Sequence, residues 1–344
     1  MINALRSGLN EKRILFLNLL EVDHRKELLR DIRTGLTKPQ KSIPSKYLYD
    51  SYGSWLFEQI TKAPEYYLTR TELSILQSST KRVLKFLAGD GGDIVELGSG
   101  AVGKIKVLLN TAFSIGTSRL RYVSVDICGD CIKNAIEELP QIYPDLEVLG
   151  LKADFNGNLG ILSGGKKLVA FFGSTIGNFT EQGCMEFLAR IRKIMNSNDR
   201  LLIGMDMVKS ANIIEAAYND RGGITGKFNL NVLSHINREL RADFKTDDFE
   251  HLAYFNSKEE QIEMHLRAKR DVSVYISDLF MKVRLRKGET ISTEICRKFT
   301  PDGIVRLFAE TGFCIENWFT DSRGWFSLVE VRPRIRFTPD SSPA

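Results

Sequence analysis

The sequence predicts a doubly wound α/β fold, a mostly parallel sheet covered by helices on both faces. Three observations carry this expectation. Between residues 93 and 207, short apolar or β-branched runs alternate with stretches of helical periodicity, the rhythm of strand, crossover helix and parallel strand. The connections between the runs are short, and a glycine-rich turn, Glu96-Leu-Gly98-Ser-Gly100, ends the first of them.

The expected strands are DIVELGS from Asp93, RYVSVDI from Arg121, LEVLGLKAD from Leu146, LVAFFGS from Leu168 and RLLIGMD from Arg200. Between them GKIKVLLNTAFS from Gly103 and EQGCMEFLARIRKIM from Glu181 read as helices, the second with a basic carboxyl end. Beyond Met207 the rhythm changes to charged helical patterns such as ANIIEAAY and NVLSHINREL, followed by mixed segments to about Phe299, which read as an insertion. From Pro301 a helix leads into NWFTDSRGWFSLVEVRP, expected as two strands returning to the sheet. Residues 1–70 are expected to be mostly helical and, with 208–298, to form a second lobe, leaving 71–207 and 299–344 as the core. The tail FTPDSSPA is expected to be disordered.

At 344 residues, 43% hydrophobic and 26% charged, the chain has enough apolar material for a large core or two lobes. The formal charge of +5 is scattered, with no basic stretch interleaved with aromatics, so nucleic acid is not an expected partner. No apolar run approaches the ~18 residues of a membrane span, and the amino-terminal apolar patch lacks a small-residue cleavage site. A cytoplasmic location with no membrane partner is expected. Five cysteines, an odd number, suggest reduced thiols. Cys128 and Cys131 form a C-x-x-C without a second pair or a histidine cluster at zinc-ligand spacing. They read as small residues at a strand-to-helix turn, and no metal is expected.

The carboxyl ends of three strands outline a nucleoside site. Gly98 and Gly100 let the backbone pass close under a ligand. Asp126 ends the second strand, where a carboxylate can accept both ribose hydroxyls. Asp154 ends the third beside Phe155, a pair suited to an adenine amino group and ring. Spacing leaves two cofactors open, S-adenosylmethionine and a nicotinamide dinucleotide, because Gly98, Gly100 and Gly103 also satisfy G-x-G-x-x-G. No dehydrogenase-like His/Lys-Asp constellation follows downstream. On the bland reading the glycines are only a tight turn, and the pair of acids at strand ends is what weighs against it.

Five segments together resemble the histidine-specific Nα-methyltransferases of the ergothioneine route, which are S-adenosylmethionine-dependent. They are YLYDSYGSWLFEQITKAPEYYLTRTE (Tyr47 to Glu72), VELGSGAVGKIKVLL (Val95 to Leu109), FFGSTIGNF (Phe171 to Phe179), YNDRGGITGKFNLNVLSHINRELRADF (Tyr218 to Phe244) and STEICRKF (Ser292 to Phe299). The resemblance implies a Rossmann-like class I methyltransferase core facing a substrate-binding lobe built from the amino-terminal segment and the insertion. It implies cofactor contacts from Tyr49, Gly98, Lys104, Asp126, Asp154 and Phe155, and substrate contacts from Tyr66, Gly173, Asn178, Tyr218, Met264, Glu294 and Cys296. Tyr49, Asn178 and Tyr218 would be the residues closest to the chemistry. The family usually has serine where this chain has Cys296, its main departure in the site. The implied reaction is methylation of the α-amino group of L-histidine, three times, to the trimethylated betaine hercynine, by a monomeric enzyme.

The chemistry suits these residue types. Methyl transfer from a sulfonium needs an uncharged amine in line, so positioning and desolvation supply most of the rate. Asn178 and Tyr218 can hold a carboxylate with neutral donors, the Gly173 carbonyl can orient the amine, and Glu294 can accept an imidazole N–H. Taken without the resemblance, Asn178 would be a loop residue, Tyr49 and Tyr66 packing aromatics, Met264 core filler and Glu294 a solvated strand residue. His235 and His265 read as surface or helix residues without a function. Three competing readings remain: a relative acting on an indole-bearing amino acid, a binding or regulatory protein that lost turnover, and a nicotinamide oxidoreductase.

Overall fold

The computed structural model describes residues 14–19, 24–100, 102–155, 157 and 159–334. The strands are β1 (Ile14–Asn18), β2 (Lys41–Ser42), β3 (Gly92–Leu97), β4 (Leu120–Asp126), β5 (Glu147–Lys152), β6 (Lys167–Phe171), β7 (Arg200–Asp206), β8 (Phe249–Asn256), β9 (Gln261–Ala268), β10 (Val272–Ile276), β11 (Met281–Leu285), β12 (Thr290–Arg297), β13 (Phe313–Thr320) and β14 (Phe326–Pro333). The α-helices are α1 (His24–Thr37), α2 (Ser51–Lys62), α3 (Tyr67–Leu84), α4 (Gly103–Ser114), α5 (Gly129–Ile142), α6 (Glu181–Ile194), α7 (Ala211–Tyr218), α8 (Ile224–Leu240) and α9 (Pro301–Glu310).

The large sheet has the order β1-β5-β4-β3-β6-β7-β14-β13. Strands β3 to β7 are all parallel, and each is one of the five runs expected from the sequence. Their residues are almost wholly buried, as in the β6 run Lys167–Phe171, which is why these strands read as continuous apolar stretches and not as alternating ones. The chain steps outward from β3 to β4 and β5, then returns to the other side of β3 with β6. Strand order therefore reverses between β3 and β6, and the crevice over their carboxyl ends is where such sheets bind ligands. The expected closing strands are β13 and β14, an antiparallel hairpin laid on β7.

One boundary needs correction. Residues 1–70 do not stand entirely with the second lobe, because Ile14–Asn18 forms β1 and pairs in parallel with β5, Leu15 opposite Leu149. The first four residues of β1, Ile14 to Leu17, are all apolar, so period-2 alternation could not announce it. The expectation of disorder for the tail lies outside the described residues.

The insertion is richer in strands than its helical patterns suggest. β12, β9 and β8 form an antiparallel sheet with β2 added in parallel to β12, and β10 pairs with β11 in a separate ribbon. Helices α2 and α8 pack on each other, and α8 packs on β8. A single buried cluster runs from Leu28 and Leu56 in the amino-terminal helices, through Ile94 and Leu168 of the large sheet, to Met264 and Cys296 of the small one. Both sheets thus share apolar core, which holds the β12 side chains firmly against the loops of the large sheet. Among the described residues, no helix is long and apolar enough to cross a membrane.

Candidate active site

The residues expected around a nucleoside gather along the carboxyl edge of β3, β4 and β5, which are neighbours in the sheet. Gly98 follows β3 with φ of 72°, a conformation that suits glycine. A Cβ there would lie 3.7 Å from the Phe155 ring, so glycine turn and aromatic face each other. That ring is held edge-on by Phe171 at 5.4 Å between centroids and by Phe187 at 6.1 Å. The Asp126 carboxylate accepts the Cys128 N–H at 2.7 Å, and burial pushes its pKa up to about 7. A carboxylate held by the turn yet still poorly solvated is a good acceptor for paired hydroxyls, and the open space over Gly100 leaves the turn approachable. The donor set fits the nucleoside of S-adenosylmethionine.

Lys104, expected as a cofactor contact, lies in the first turn of α4 just after the glycine turn. Its ammonium pairs with Glu72, whose side chain is fully buried on α3. Both oxygens of Glu72 also lie 2.9 Å from the Gly173 nitrogen and accept its N–H. Lys104 therefore acts on the site through Glu72, which clamps the loop after β6 to α3 and α4. Gly204 sits beneath this clamp, and a Cβ there would collide with Glu72.

On the facing side, β12 carries a bulge between Ser292 and Glu294 where it pairs with β9. The bulge shifts the alternation of the strand. Ile291 and Thr293 are buried before it, and Glu294, Cys296 and Lys298 are buried after it, so these three share one face. Thr293 is tied down by donating to Asn229 Oδ1 at 2.6 Å. Met264, cross-strand from Glu294 on β9, is likewise buried. The turn Thr175–Asn178 packs on β12 so closely that a Cβ on Gly177 would lie 2.9 Å from Cys296 Sγ and 2.7 Å from the Arg297 carbonyl. Asn178 ends this turn. The preceding Ser174 adopts a left-handed conformation, φ 56°, and its hydroxyl accepts the Asp206 N–H at 2.9 Å.

Three tyrosines complete the cluster. Tyr66 and Tyr218 meet edge-on with ring centroids 6.3 Å apart, and Tyr49 packs edge-on against Phe228 at 5.3 Å. Burial raises the pKa of Tyr49, with further contributions from Glu294, Tyr66, Cys296 and Asp126. Tyr66 and Tyr218 are also raised, by burial first and then by Cys296 and Glu294 among their neighbours. All three therefore stay neutral phenols.

Glu294 is the most unusual member. Its carboxyl is buried, burial lifts its pKa to about 7, and its Oε2 has no hydrogen-bond partner among the described residues. A buried acceptor without a donor is costly and is the mark of a group held ready for a ligand.

A model of histidine-specific, S-adenosylmethionine-dependent methyltransferases matches residues 28–333 of the chain. The chain belongs to this family. A histidine N-alpha-methyltransferase from Mycolicibacterium smegmatis is 42% identical over 90% of this chain and 97% of its own length. Another from Mycobacterium tuberculosis is 41% identical over 88% and 93%. At a greater distance an L-tryptophan methyltransferase from Psilocybe serbica is 24% identical over 88% of this chain and 91% of its own. Family membership in a methyltransferase group makes the protein an enzyme and removes the nicotinamide and turnover-free readings.

Four site residues escaped sequence reasoning: Glu72, Ser174, Asp206 and Lys298. Lys298 had a signal, since it follows Glu294 and Cys296 at the two-residue spacing of one strand face. The others are recognisable only through contacts distant in sequence. His265 is a correction of another kind: it is buried on β9, not on the surface or a helix, 3.1 Å from Glu263 and stacked on Tyr254. His235 does lie on a helix, α8, with Nδ1 2.8 Å from the Tyr47 carbonyl.

The C-x-x-C lies at the start of α5, with Cys128 at its N-cap and the two thiols 2.9 Å apart. Among the described residues no His, Cys, Asp or Glu cluster is suited to a metal. The hydrogen bond from Cys131 draws the Cys128 pKa down to about 6, whereas burial pushes Cys184 up to about 11. Brief alkylation of the folded protein at pH 7 is expected to label Cys128 before Cys184; peptide mass spectrometry showing Cys184 labelled first would contradict this microenvironment.

Proposed function

We propose that the enzyme methylates the α-amino group of L-histidine, using S-adenosylmethionine, and carries the product to the trimethylated betaine that begins ergothioneine synthesis. The observation that carries the choice of substrate is Glu294: a buried carboxylate oxygen with no donor among the described residues, facing the tyrosine cluster on the same strand face as Cys296. An imidazole N–H supplies the missing donor, and a phenyl or aliphatic side chain does not. The relatives whose names specify histidine support the same reading.

In this reading the small sheet with the helices on it forms the substrate lobe, opposite the nucleoside edge of the large sheet. S-adenosylmethionine, held by Gly98, Asp126, Asp154 and Phe155, supplies an electrophilic methyl group. Asn178 and Tyr218 hold the substrate carboxylate, and Glu294 and Cys296 hold the imidazole. The Gly173 carbonyl, set in place by the Glu72 clamp, orients the amine, with Tyr49 among the residues closest to the chemistry. The ammonium gives up its proton to solvent before each transfer, because the phenols here are held above their ordinary pKa and no carboxylate is assigned to the amine. A trimethylated nitrogen has no N–H left to donate, so product loses hydrogen bonds and leaves.

Mass spectrometry of each proteinogenic amino acid incubated with enzyme and S-adenosylmethionine tests the proposal and counts the methyl groups. Histidine is expected to gain three; exclusive turnover of tryptophan would overturn the assignment. Asp126→Ala is expected to weaken S-adenosylmethionine binding by about 1.5 to 3 kcal/mol, the range for hydrogen bonds to a charged group. Unchanged calorimetric affinity would displace the ribose from this carboxylate. Cys296→Ser is expected to lower KM for histidine with little change in kcat, since a hydroxyl is a better partner than a thiol for the second imidazole nitrogen. A raised KM would mean that the thiol fits the native ligand better.

A further inference from the structure

Lys298 follows β12 on the same inward face as Glu294 and Cys296, and its side chain is fully buried. Its ammonium lies 3.1 Å from Asp206 Oδ2, 3.3 Å from the Tyr218 hydroxyl and 3.2 Å from Cys296 Sγ. An ammonium has three N–H donors and no acceptor, so these contacts use it fully and fix its sense. Tyr218 oxygen and Cys296 sulfur both accept from it. Burial opposes the charge, but Cys296 and Asp206 more than restore it, so the lysine stays protonated.

Charge neutralisation of Asp206 does not by itself require Lys298. Asp206 Oδ1 is 2.6 Å from Lys209 Nζ, and Oδ2 accepts from the Tyr67 hydroxyl at 2.7 Å. Asp206 thus already has a cation and a phenol as partners, and Lys298 is a second cation that also reaches the Tyr218 hydroxyl.

We infer that Lys298 is a positioning residue for the amino-acid end of the substrate, acting through Tyr218. The inference rests on the histidine reading above. By occupying a lone pair on the Tyr218 oxygen, Lys298 leaves the phenol O–H as a hydrogen that a ligand can accept. An arriving carboxylate then accepts that phenol hydrogen. The Lys298 ammonium then lies one hydroxyl behind the substrate carboxylate. A serine in place of Cys296 would accept from the same ammonium, so the device serves either residue at that position.

The test is steady-state kinetics on histidine and calorimetric binding of S-adenosylhomocysteine, for Lys298→Met, Lys298→Gln, Tyr218→Phe and the double variant Lys298→Met/Tyr218→Phe. Lys298→Met is expected to raise KM by at least about tenfold with a smaller change in kcat, leaving S-adenosylhomocysteine affinity within about twofold. Lys298→Gln, which keeps a neutral donor, recovers part of the KM. In the Tyr218→Phe background the methionine adds no more than about twofold, because the partner through which it acts is gone. An unchanged KM for Lys298→Met, or fully additive losses in the double variant, overturns the inference while leaving the substrate reading intact. Loss of S-adenosylhomocysteine binding in both Lys298 variants makes the residue a folding element and overturns it equally. Failure of the unchanged enzyme to methylate histidine removes the substrate reading and the inference with it.

Discussion

Replacing Glu294 with alanine is expected to lower kcat/KM for histidine by roughly 10- to 150-fold, the equivalent of about 1.5 to 3 kcal/mol for a hydrogen bond to a charged group. The loss should be much smaller for tryptophan or phenylalanine, which do not need that acceptor, so the preference for histidine narrows. Survival of the full preference would assign imidazole recognition to other groups. The same carboxyl has a signature in stability. Its pKa is near 4.5 in an ordinary setting and about 7 in the folded chain, through burial. Between those values the folded protein keeps a proton that the unfolded chain has lost, so stability falls as pH rises through this window, and the penalty is complete above it. Glu294→Gln removes that penalty. The variant should melt higher than its parent at pH 8 and show no such gain at pH 4, while its activity on histidine drops. A variant less stable at both pH values would mean that the carboxylate is satisfied in the ligand-free state after all.

Asp199→Ala is expected to cost about 3 to 5 kcal/mol of folding stability, the range for removing one partner of a buried ion pair. Asp199 and Lys167 are both fully buried, with Nζ 2.7 Å from Oδ2. Asp199 also accepts the backbone N–H groups of Lys167 at 2.9 Å and Asn196 at 2.7 Å. Truncation strands a buried ammonium and two amides at once. The pair ties the amino ends of β6 and β7, the edge of the sheet opposite the ligand crevice. Kinetic constants per folded molecule should therefore stay unchanged at a temperature where the variant remains folded. Urea unfolding measures the loss, and Lys167→Met combined with Asp199→Leu should recover only the part due to the stranded ammonium, because the two backbone N–H groups still lack their acceptor. A midpoint within experimental error of the parent for Asp199→Ala would show the pair to be solvated.

Five parallel strands, the glycine turn at Gly98 and the acids Asp126 and Asp154 were all legible in the linear sequence. The reason is local: a strand buried on both faces must be apolar along its length, and the chain must turn beyond its carboxyl end, so polar residues there stand out against the run. Most of the proposed substrate side was suggested only by resemblance, because Tyr66, Asn178, Tyr218 and Glu294 carry no local pattern that separates a binding residue from a packed or solvated one. The edge strand Ile14–Asn18 was not legible, since four consecutive apolar residues show no alternation and the segment owes its conformation to pairing with β5. The tertiary structure alone decided the rest. The bulge at Ser292/Glu294 turns Glu294, Cys296 and Lys298 onto one face. Glu72 reaches Gly173 from a hundred residues away, and Asp206 collects Tyr67, Lys209 and Lys298 from three segments. Such contacts are selected by the cost of leaving a buried charge unpaired, a cost that exists only once distant parts of the chain have been packed together.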